Sequence, residues 1–280
     1  MNQQSTARGF GARLVDAGEQ YGRLCVGIDP HEQLLAAWGF SNDADGLREF
    51  SLRCVEAFAG HVALIKPQVA FFERYGSKGF AVLEEVIAAA KGSGSLIVAD
   101  AKRGDIGSTM AGYAAAWLDD ASPLCCDAVT LTPYLGVGSL DPAINVAGEK
   151  GRGVFIMAAN SNPEAEAFQE QQLGSTSGTV AQHMVDECAR YNTSSSGVDH
   201  IGHVGVVVGA TVKNPPQLDH LNAPVLMPGV GAQGATMQDV ARIAGQNSHL
   251  VFPNVSRSVL SAGPNVEDLR KRAKEQVVSA

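Results

Sequence analysis

The chain has 280 residues, of which 45% are hydrophobic, so it is long enough to bury the core of one large α/β domain and is not expected to be disordered. Its net charge of -8 and its lack of a Lys/Arg block argue against a nucleic-acid or anionic-membrane surface, because neutralising many phosphates requires clustered cations. Any phosphate that it binds should therefore be small.

The five cysteines form an odd set with no C-x-x-C spacing, which is typical of reduced thiols that pack in a cytoplasmic protein. The first residues lack the apolar core of a signal peptide, and no apolar run approaches the roughly 18 residues of a membrane span. We therefore expect a cytoplasmic protein that does not contact membranes.

Eight short runs rich in Val, Ile and Leu recur along the chain, and their near-continuous apolar character predicts parallel strands that are covered on both faces. They are 23–29 (RLCVGID), 62–66 (VALIK), 95–100 (SLIVAD), 127–132 (DAVTLT), 153–159 (GVFIMAA), 204–209 (VGVVVG), 224–228 (PVLMP) and 249–255 (HLVFPNV).

Segments with helical spacing lie between these runs, at 47–59, 80–90, 110–120, 180–191 and 237–245. Repeated strand–helix alternation predicts an α/β fold of the (β/α)8 TIM-barrel type, as a single domain over 1–280, with an open doubly wound sheet as the alternative. A long connection at about 162–203 contains two helical stretches. Its Gly/Ser tracts, 173–178 and 192–197, are typical of mobile loops.

Polar side chains follow the predicted strands, and in a barrel they would converge on the carboxyl-end rim, where active sites lie. The stretch DAKRGD places Asp100, Lys102 and Asp105 at the end of the third strand. Because strand side chains alternate, we expect Asp100 and Lys102 to face the same side. A carboxylate beside an ammonium favours both charged forms and provides a fixed cation that can donate a proton. A surface ion pair in a solvated loop is the alternative interpretation.

A second group of residues follows the seventh and eighth strands, whose loops often form the phosphate site of a barrel. Pro228 and the glycines after it allow backbone N–H groups to approach an anion, Arg257 offers a bidentate donor, and Gln233 can close over the top. The alternative is a simple turn and a surface Arg. The occurrence of both features in successive loops favours phosphate.

Two other types of site are not predicted. Residues 199–203 (DHIGH) are of metal-ligand type, but they lie in a Gly/Ser-rich connection with no third ligand nearby, so we predict no metal there. The chain has no G-x-S-x-G sequence, which removes the main reason to propose an acyl-transfer hydrolase.

Six motifs in order along the chain resemble the orotidine 5'-phosphate decarboxylase family, and in particular its longer bacterial branch, type 2. The motifs are VGIDP (26–30), IKPQVAFFE (65–73), DAKRGDIGST (100–109), SNP (161–163), MPGVGAQG (227–234) and NVSRS (254–258). The resemblance covers nearly the whole chain. It implies a carboxy-lyase of pyrimidine biosynthesis that converts orotidine 5'-phosphate to uridine 5'-phosphate without a cofactor.

The resemblance also implies roles for particular residues. The catalytic array would be Lys66, Asp100, Lys102 and Asp105, with Asp105 reaching into the neighbouring subunit of a homodimer. The substrate contacts would be Asp29 and Thr109 at the ribose, Ile106 and Ser161 at the base, and Pro228, Gln233 and Arg257 at the phosphate.

Two other functions remain open from the sequence. A magnesium-dependent sugar-phosphate decarboxylase or aldolase-like synthase of the same superfamily also resembles the D-x-K-x-x-D pattern, but it uses an acidic residue near the second strand, where this chain has Lys66. A catalytically silent nucleotide sensor would need only the phosphate site. The charged array argues against the sensor, because buried charges are costly to retain without a use.

Overall fold

The computed structural model describes residues 8–174, 178–193, 200–231 and 234–278 of the chain. Eight parallel strands pair in sequence order, and the last pairs with the first, so the sheet closes into a barrel. The strands are β1 Cys25–Ile28, β2 Leu64–Pro67, β3 Leu96–Arg103, β4 Ala128–Leu131, β5 Gly153–Ala159, β6 Val204–Val208, β7 Val225–Pro228 and β8 Val251–Val255.

Helices precede the barrel and connect its strands. They are α1 Phe10–Tyr21, α2 Glu32–Ala37, α3 Ala44–Phe58, α4 Val69–Glu73, α5 Gly76–Ala90, α6 Gly107–Leu118, α7 Asp141–Glu149, α8 Pro163–Gln169, α9 Val180–Thr193, α10 Met237–Ala244, α11 Arg257–Leu260 and α12 Val266–Val278, with 3₁₀ helices at Val137–Leu140 and Gly245–Leu250. The connection from β6 to β7, which is described throughout 209–224, contains no helix. No helix in the described part of the chain is long and apolar enough to cross a membrane.

The predicted (β/α)8 barrel is confirmed, and the pairing of β1 with β8 excludes the open sheet. Each of the eight apolar runs overlaps one strand, and each of the five predicted helical segments overlaps one helix. Strand β3 differs from the prediction because it continues past Asp100 to Arg103. Its last residues are polar and carry part of the site.

Apolar side chains fill the inside of the barrel, and α1 packs against the amino ends of the strands. Phe10 of α1 meets Phe155 of β5 edge-on, with ring centroids 5.8 Å apart, and both side chains are fully buried. A Cβ atom at Gly153 would lie 2.2 Å from the Phe10 ring, so only glycine leaves room for it there. The polar residues at the carboxyl ends of the strands therefore lie above a packed apolar layer that includes Phe10 and Phe155, here called the apolar floor.

Asp127 joins α1 to the same end of the barrel. Its Oδ1 accepts from Arg13 Nη1 at 2.9 Å, and its Oδ2 accepts from the backbone N–H of Ile97 at 3.0 Å. The carboxylate therefore joins α1 to β3 from the start of β4. In the sequence, Asp127 is only the first residue of the predicted strand 127–132.

The connection between β5 and β6 runs from residue 160 to residue 203, and two residues of one predicted loop are helical instead. Residues 192 and 193 belong to α9, and Asn192 is buried. Its Nδ2 donates to the carbonyl oxygens of Val204 at 3.0 Å and Leu221 at 2.9 Å, and its Oδ1 accepts from Val204 N at 3.2 Å. Residues 175–177 and 194–199 of the two predicted loops lie outside the described residues.

We predict that Asn192→Ala lowers the free energy of unfolding by about 1–3 kcal/mol, because it leaves buried backbone groups at the start of β6 without partners. Thr193→Ala is the control: Thr193 is exposed and bonds only within its own helix in the described hydrogen bonds, so a change below about 0.5 kcal/mol is expected. Urea denaturation of both variants measures the difference. Equal small effects would contradict a structural role for the Asn192 amide.

Candidate active site

Three charged side chains that the sequence grouped together lie within hydrogen-bond distance at the carboxyl ends of β2 and β3. Lys66 Nζ donates to Asp100 Oδ2 at 2.7 Å, and Lys102 Nζ donates to Asp100 Oδ1 at 2.5 Å. Lys66 and Asp100 are 7% and 8% exposed, so this ion pair is buried rather than a surface contact. The carboxylate holds one ammonium on each oxygen.

Strand alternation explains why Lys66 and Asp100 face the barrel interior. Leu64 and Val98 lie two residues earlier in the same strands and belong to the interior apolar cluster, and side chains two residues apart share a face. Thr130 of β4 lies in the same layer, and its hydroxyl donates to Asp100 Oδ1 at 2.9 Å. A polar layer therefore lies directly on the apolar floor.

Lys102 reaches this layer through an irregular part of β3. The pairing with β4 advances four residues in β3, from Ala99 to Arg103, while it advances two residues in β4, so β3 bulges. Lys102 has φ +48°, a conformation that is sparse for residues other than glycine. The prediction that Asp100 and Lys102 face one side is confirmed by their contact, although the cause is the bulge rather than regular alternation.

A cavity of about 270 Å³ opens beside Lys102. The Lys102 side chain is 42% exposed, in contrast to the buried Lys66. The rest of its lining is partly apolar, with side chains such as Met157, Phe168 and Met184, and partly polar, with Thr132, Asn160 and Gln169. Lys102 is therefore the member of the array that is accessible to a bound molecule.

The three charges stabilise one another. Burial by itself would raise the pKa of Asp100, but the charges of Lys66 and Lys102 outweigh it and hold that pKa well below its usual range. Burial would likewise lower the pKa of Lys66, but the carboxylates of Asp100 and Asp29 outweigh it and raise that pKa. The buried pair is therefore ionised at neutral pH.

Cys25 lies in the layer below the charged array, in β1. Asn254 of β8 donates from Nδ2 to Cys25 Sγ at 3.2 Å. Burial raises the pKa of the Cys25 thiol to about 12, so it stays protonated and is not a nucleophile at neutral pH. Like the other four cysteines, Cys25 is free and buried, which is consistent with the packing role that the sequence predicts.

Asp29 follows β1 and has an unused acceptor. Its Oδ1 is buried and has no hydrogen-bond partner in the described part of the chain. Asp29 follows Ile28, which pairs with Pro67 beside Lys66, and the charge of Asp29 helps to raise the pKa of Lys66. An unsatisfied carboxylate oxygen beside the array suits a ligand hydroxyl, because buried acceptors normally have a donor.

Three predicted site residues follow β3, and none of them has a described hydrogen bond to the array. The carboxylate of Asp105 accepts from the backbone N–H of Ile106 at 2.8 Å, and the Ile106 side chain is 62% exposed. Thr109, in the first turn of α6, is exposed. A Cβ atom at Gly104 would lie 2.3 Å from the carbonyl oxygen of Thr132, so glycine is needed where the loop leaves the strand.

Ser161 follows β5, next to a pair of amide side chains. The backbone N–H of Asn160 donates to Gln169 Oε1 at 2.7 Å, and Gln169 Nε2 returns a bond to Asn160 Oδ1 at 3.0 Å. This pair joins α8 to the end of β5. A Cβ atom at Gly209 would lie 3.0 Å from Ser161 Cβ, so Ser161 lies between the ends of β5 and β6.

The predicted phosphate residues lie at the ends of β7 and β8. Pro228 ends β7, and Arg257 begins α11 directly after β8, where it is exposed. The two loops are adjacent, because a Cβ atom at Gly231 would lie 3.7 Å from the Ser258 side chain. Gln233 lies outside the described residues.

Residues 200–203 contribute to packing. His203 Nε2 lies 3.1 Å from the carbonyl oxygen of Ile144, and burial lowers the pKa of this imidazole. Over the ranges that the structure describes, no three His, Cys, Asp or Glu side chains are grouped so as to hold a metal ion.

A family model described as "Orotidine 5'-phosphate decarboxylase / HUMPS family" matches residues 22–272. The chain belongs to this family. A protein from Corynebacterium efficiens named orotidine 5'-phosphate decarboxylase is 59% identical over 266 residues, which are 95% of each chain. A protein of the same name from Streptomyces coelicolor is 49% identical, with 94% of each chain covered. The resemblance in the sequence motifs is thus confirmed, and the named relatives are carboxy-lyases.

Solved structures agree with this family assignment. A crystal structure named for an orotidine 5'-phosphate decarboxylase from Streptomyces avermitilis has a TM-score of 0.92 at 49% identity, covering 100% of this chain and 97% of that chain. The structure of Leishmania donovani OMP decarboxylase has a TM-score of 0.76 at 29% identity, with 96% of each chain covered. The barrel of this chain therefore agrees with the fold of structures named for this family.

Two residues of the site were missed in the sequence. Thr130 lies two positions before Thr132, the last residue of the predicted strand 127–132. Because strand side chains alternate, counting back by two from that end would have found Thr130. Gln169 had no such signal, because its partner Asn160 comes from a separate element nine residues earlier.

We predict that the stability difference between the wild type and Asp100→Asn depends on pH. The charge of Asp100 stabilises the fold above its unfolded-state pKa of about 4, and this contribution is lost as the pH falls towards its lower folded-state pKa. The wild type should be the more stable protein at about pH 7, and the difference should shrink below about pH 4. Urea denaturation across this range measures it.

Asp219→Asn, at an exposed carboxylate, is the control and should show a small difference at every pH. A gap for Asp100→Asn that is as large at about pH 3 as at about pH 7 would contradict a depressed carboxyl pKa.

Proposed function

We propose that this chain is a single-domain carboxy-lyase that converts orotidine 5'-phosphate to uridine 5'-phosphate and CO₂ in pyrimidine biosynthesis. The observation that carries the proposal is the array Lys66–Asp100–Lys102 at the carboxyl rim of the barrel, with Lys102 facing a cavity. A relative that is named orotidine 5'-phosphate decarboxylase and is 59% identical supports the same reaction. A binding protein would have little use for buried charges beside its ligand.

In the proposed mechanism, the bond between C6 of the pyrimidine and its carboxylate breaks, and the electron pair stays on C6. The Lys102 ammonium stabilises the negative charge that develops there and then donates its proton to C6. Asp100 keeps Lys102 close to the array through the 2.5 Å contact. Lys66 holds the other carboxylate oxygen in place, so the array is organised before substrate binds.

The proposed reaction needs no cofactor. An ammonium group has no lone pair with which to bind a cation, and Lys66 stands at the end of β2, where the magnesium-dependent alternative uses an acid. The pKa of Lys66 is raised by its carboxylate neighbours, which keeps it in this form. The chemistry of the side chains therefore favours the cofactor-free decarboxylation of a nucleotide over the magnesium-dependent reactions of the alternative enzyme.

The remaining predicted residues would hold the nucleotide. The unsatisfied oxygen of Asp29 suits a ribose hydroxyl, with Thr109 as a second ribose contact. Ser161 and Ile106 would contact the base. Pro228, Gln233 and Arg257 would bind the phosphate, and binding energy gained there can lower the barrier to the reaction at C6.

We further propose that the chain works as a homodimer in the cytoplasm. Among the described residues, four exposed large apolar side chains follow β3, β4 and β5, on the same rim as the array: Ile106, Tyr134, Leu135 and Phe168. Exposed apolar groups clustered beside a site are typical of an interface. A partner on this rim would bring its Asp105 near the array.

The proposed cytoplasmic location is supported by the free cysteines, because reduced thiols are typical of a reducing compartment.

We predict that the purified protein removes the ultraviolet absorbance of orotidine 5'-phosphate and that excess chelator leaves the rate unchanged. Lys102→Ala should abolish turnover, because no other ammonium of the array is accessible, while Lys271→Ala on α12 should keep the wild-type rate. Uridine 5'-phosphate affinity should change little in both variants. Strict magnesium dependence would favour the alternative enzyme, and tight binding without turnover would favour the sensor.

We predict that inactive Lys102→Ala and Asp105→Ala chains complement each other. In a mixed dimer, one site collects both lesions and the other site is wild type. Unfolding and refolding equal amounts together should restore roughly a quarter of wild-type activity, since half of the dimers are mixed and each has one intact site. If verified mixed dimers stay inactive, Asp105 acts within its own chain.

A further inference from the structure

The backbone of Lys102 is held by two threonine side chains: Thr130 in β4, and Thr132, which directly follows the last residue of β4. The N–H of Lys102 donates to Thr130 Oγ1 at 3.0 Å, and the hydroxyl of Thr132 donates to the carbonyl oxygen of Lys102 at 3.3 Å. These contacts occur where the bulge in β3 interrupts the regular pairing of the two strands. Side chains thus bind the peptide groups on both sides of Lys102.

The conformation of Lys102 explains why such contacts are needed. Its φ of +48° is unfavourable for a residue with a side chain, and such strain persists only where the surroundings impose it. A single hydroxyl at Thr130 does two things at once. It accepts from Lys102 N and donates to Asp100 Oδ1 at 2.9 Å, the same oxygen that receives the Lys102 ammonium.

The Thr130 side chain is held in a fixed position by its surroundings. It is 1% exposed and lies on a short strand with apolar neighbours, so its side chain has little freedom. Because the hydroxyl has one proton, donating that proton to Asp100 leaves its lone pairs for Lys102 N. The bond to Asp100 therefore also orients the acceptor for the backbone.

We propose that Thr130 is a positioning residue for the reaction: its hydroxyl couples the backbone conformation of Lys102 to the orientation of the Asp100 carboxylate and so aims the ammonium at C6. This inference rests on the proposed decarboxylation. It predicts that the hydroxyl, rather than the bulk of the side chain, matters for the chemical step.

The test compares Thr130→Val, which keeps the shape and removes the hydroxyl, with Thr130→Ser, which keeps the hydroxyl. We expect Thr130→Val to lower kcat roughly 10- to 100-fold with little change in KM, because a bond to a charged group is lost and Lys102 N is left without an acceptor. Thr130→Ser should stay within about threefold of the wild type, since its hydroxyl can make both bonds. Equal losses in both variants would overturn the proposal in favour of packing.

Ser95→Ala is the matched control for stability. Ser95 is also buried, and its hydroxyl accepts from Gly60 N at 2.9 Å and donates to the Val62 carbonyl oxygen at 2.6 Å, just before β3 and away from the array. It should lower the unfolding midpoint and leave kcat unchanged. A kcat loss in Ser95→Ala as large as in Thr130→Val would mean that general destabilisation explains both and would overturn the proposal.

Two measurements do not depend on turnover. Amide hydrogen exchange at Lys102 should be faster in Thr130→Val than in the wild type or Thr130→Ser, because the N–H loses its acceptor. A uridine nucleotide with an anionic group at C6 should lose affinity in Thr130→Val, while uridine 5'-phosphate should not. If Thr130→Val does not fold, Thr130→Ala against Thr130→Ser gives the same comparison.

These readouts separate the two possible failures. A wild type that does not consume orotidine 5'-phosphate would overturn the proposed function, whereas the exchange rates would still report whether Thr130 holds the Lys102 backbone. An active wild type with unchanged Lys102 exchange in Thr130→Val would overturn the positioning role alone.

Discussion

The mouth of the barrel is organised around one buried carboxylate. Asp100 stays charged only because it receives two ammonium groups and a hydroxyl, from three adjacent strands. Removing any one of these donors from such a buried group is costly, because an unpaired charge there cannot be solvated. Lys66, Lys102 and Thr130 are therefore interdependent, and the barrel is needed to bring them together.

The charged layer lies directly above the apolar floor. Below Lys66 and Asp100, the barrel is filled by side chains such as Leu64, Val98 and Phe155, and α1 packs on its amino end. Charges interact more strongly where water is excluded. Lys66 and Asp100 are consequently a fixed part of the scaffold, while Lys102 is exposed enough to meet a ligand.

The order of strands and helices could be predicted from the sequence because the signals are local. A run such as 153–159 is apolar throughout since both faces of a barrel strand are covered, and helical spacing at 180–191 shows one buried face. Contacts between distant segments have no such signal. Asp127 looked like a strand residue and Asn192 looked like part of a loop, but each binds the backbone of another element.

The sequence by itself placed polar residues near the carboxyl ends of the predicted strands, and therefore predicted that Lys66, Asp100 and Lys102 would meet on one rim. Strand periodicity and the rule that barrel strands end together are enough for that conclusion. Only the tertiary structure decided how they meet: the bulge in β3, the positive φ of Lys102 and the bond from Thr130 to Asp100. These features depend on the register between β3 and β4, which is set by packing across the whole barrel and not by residues near in sequence.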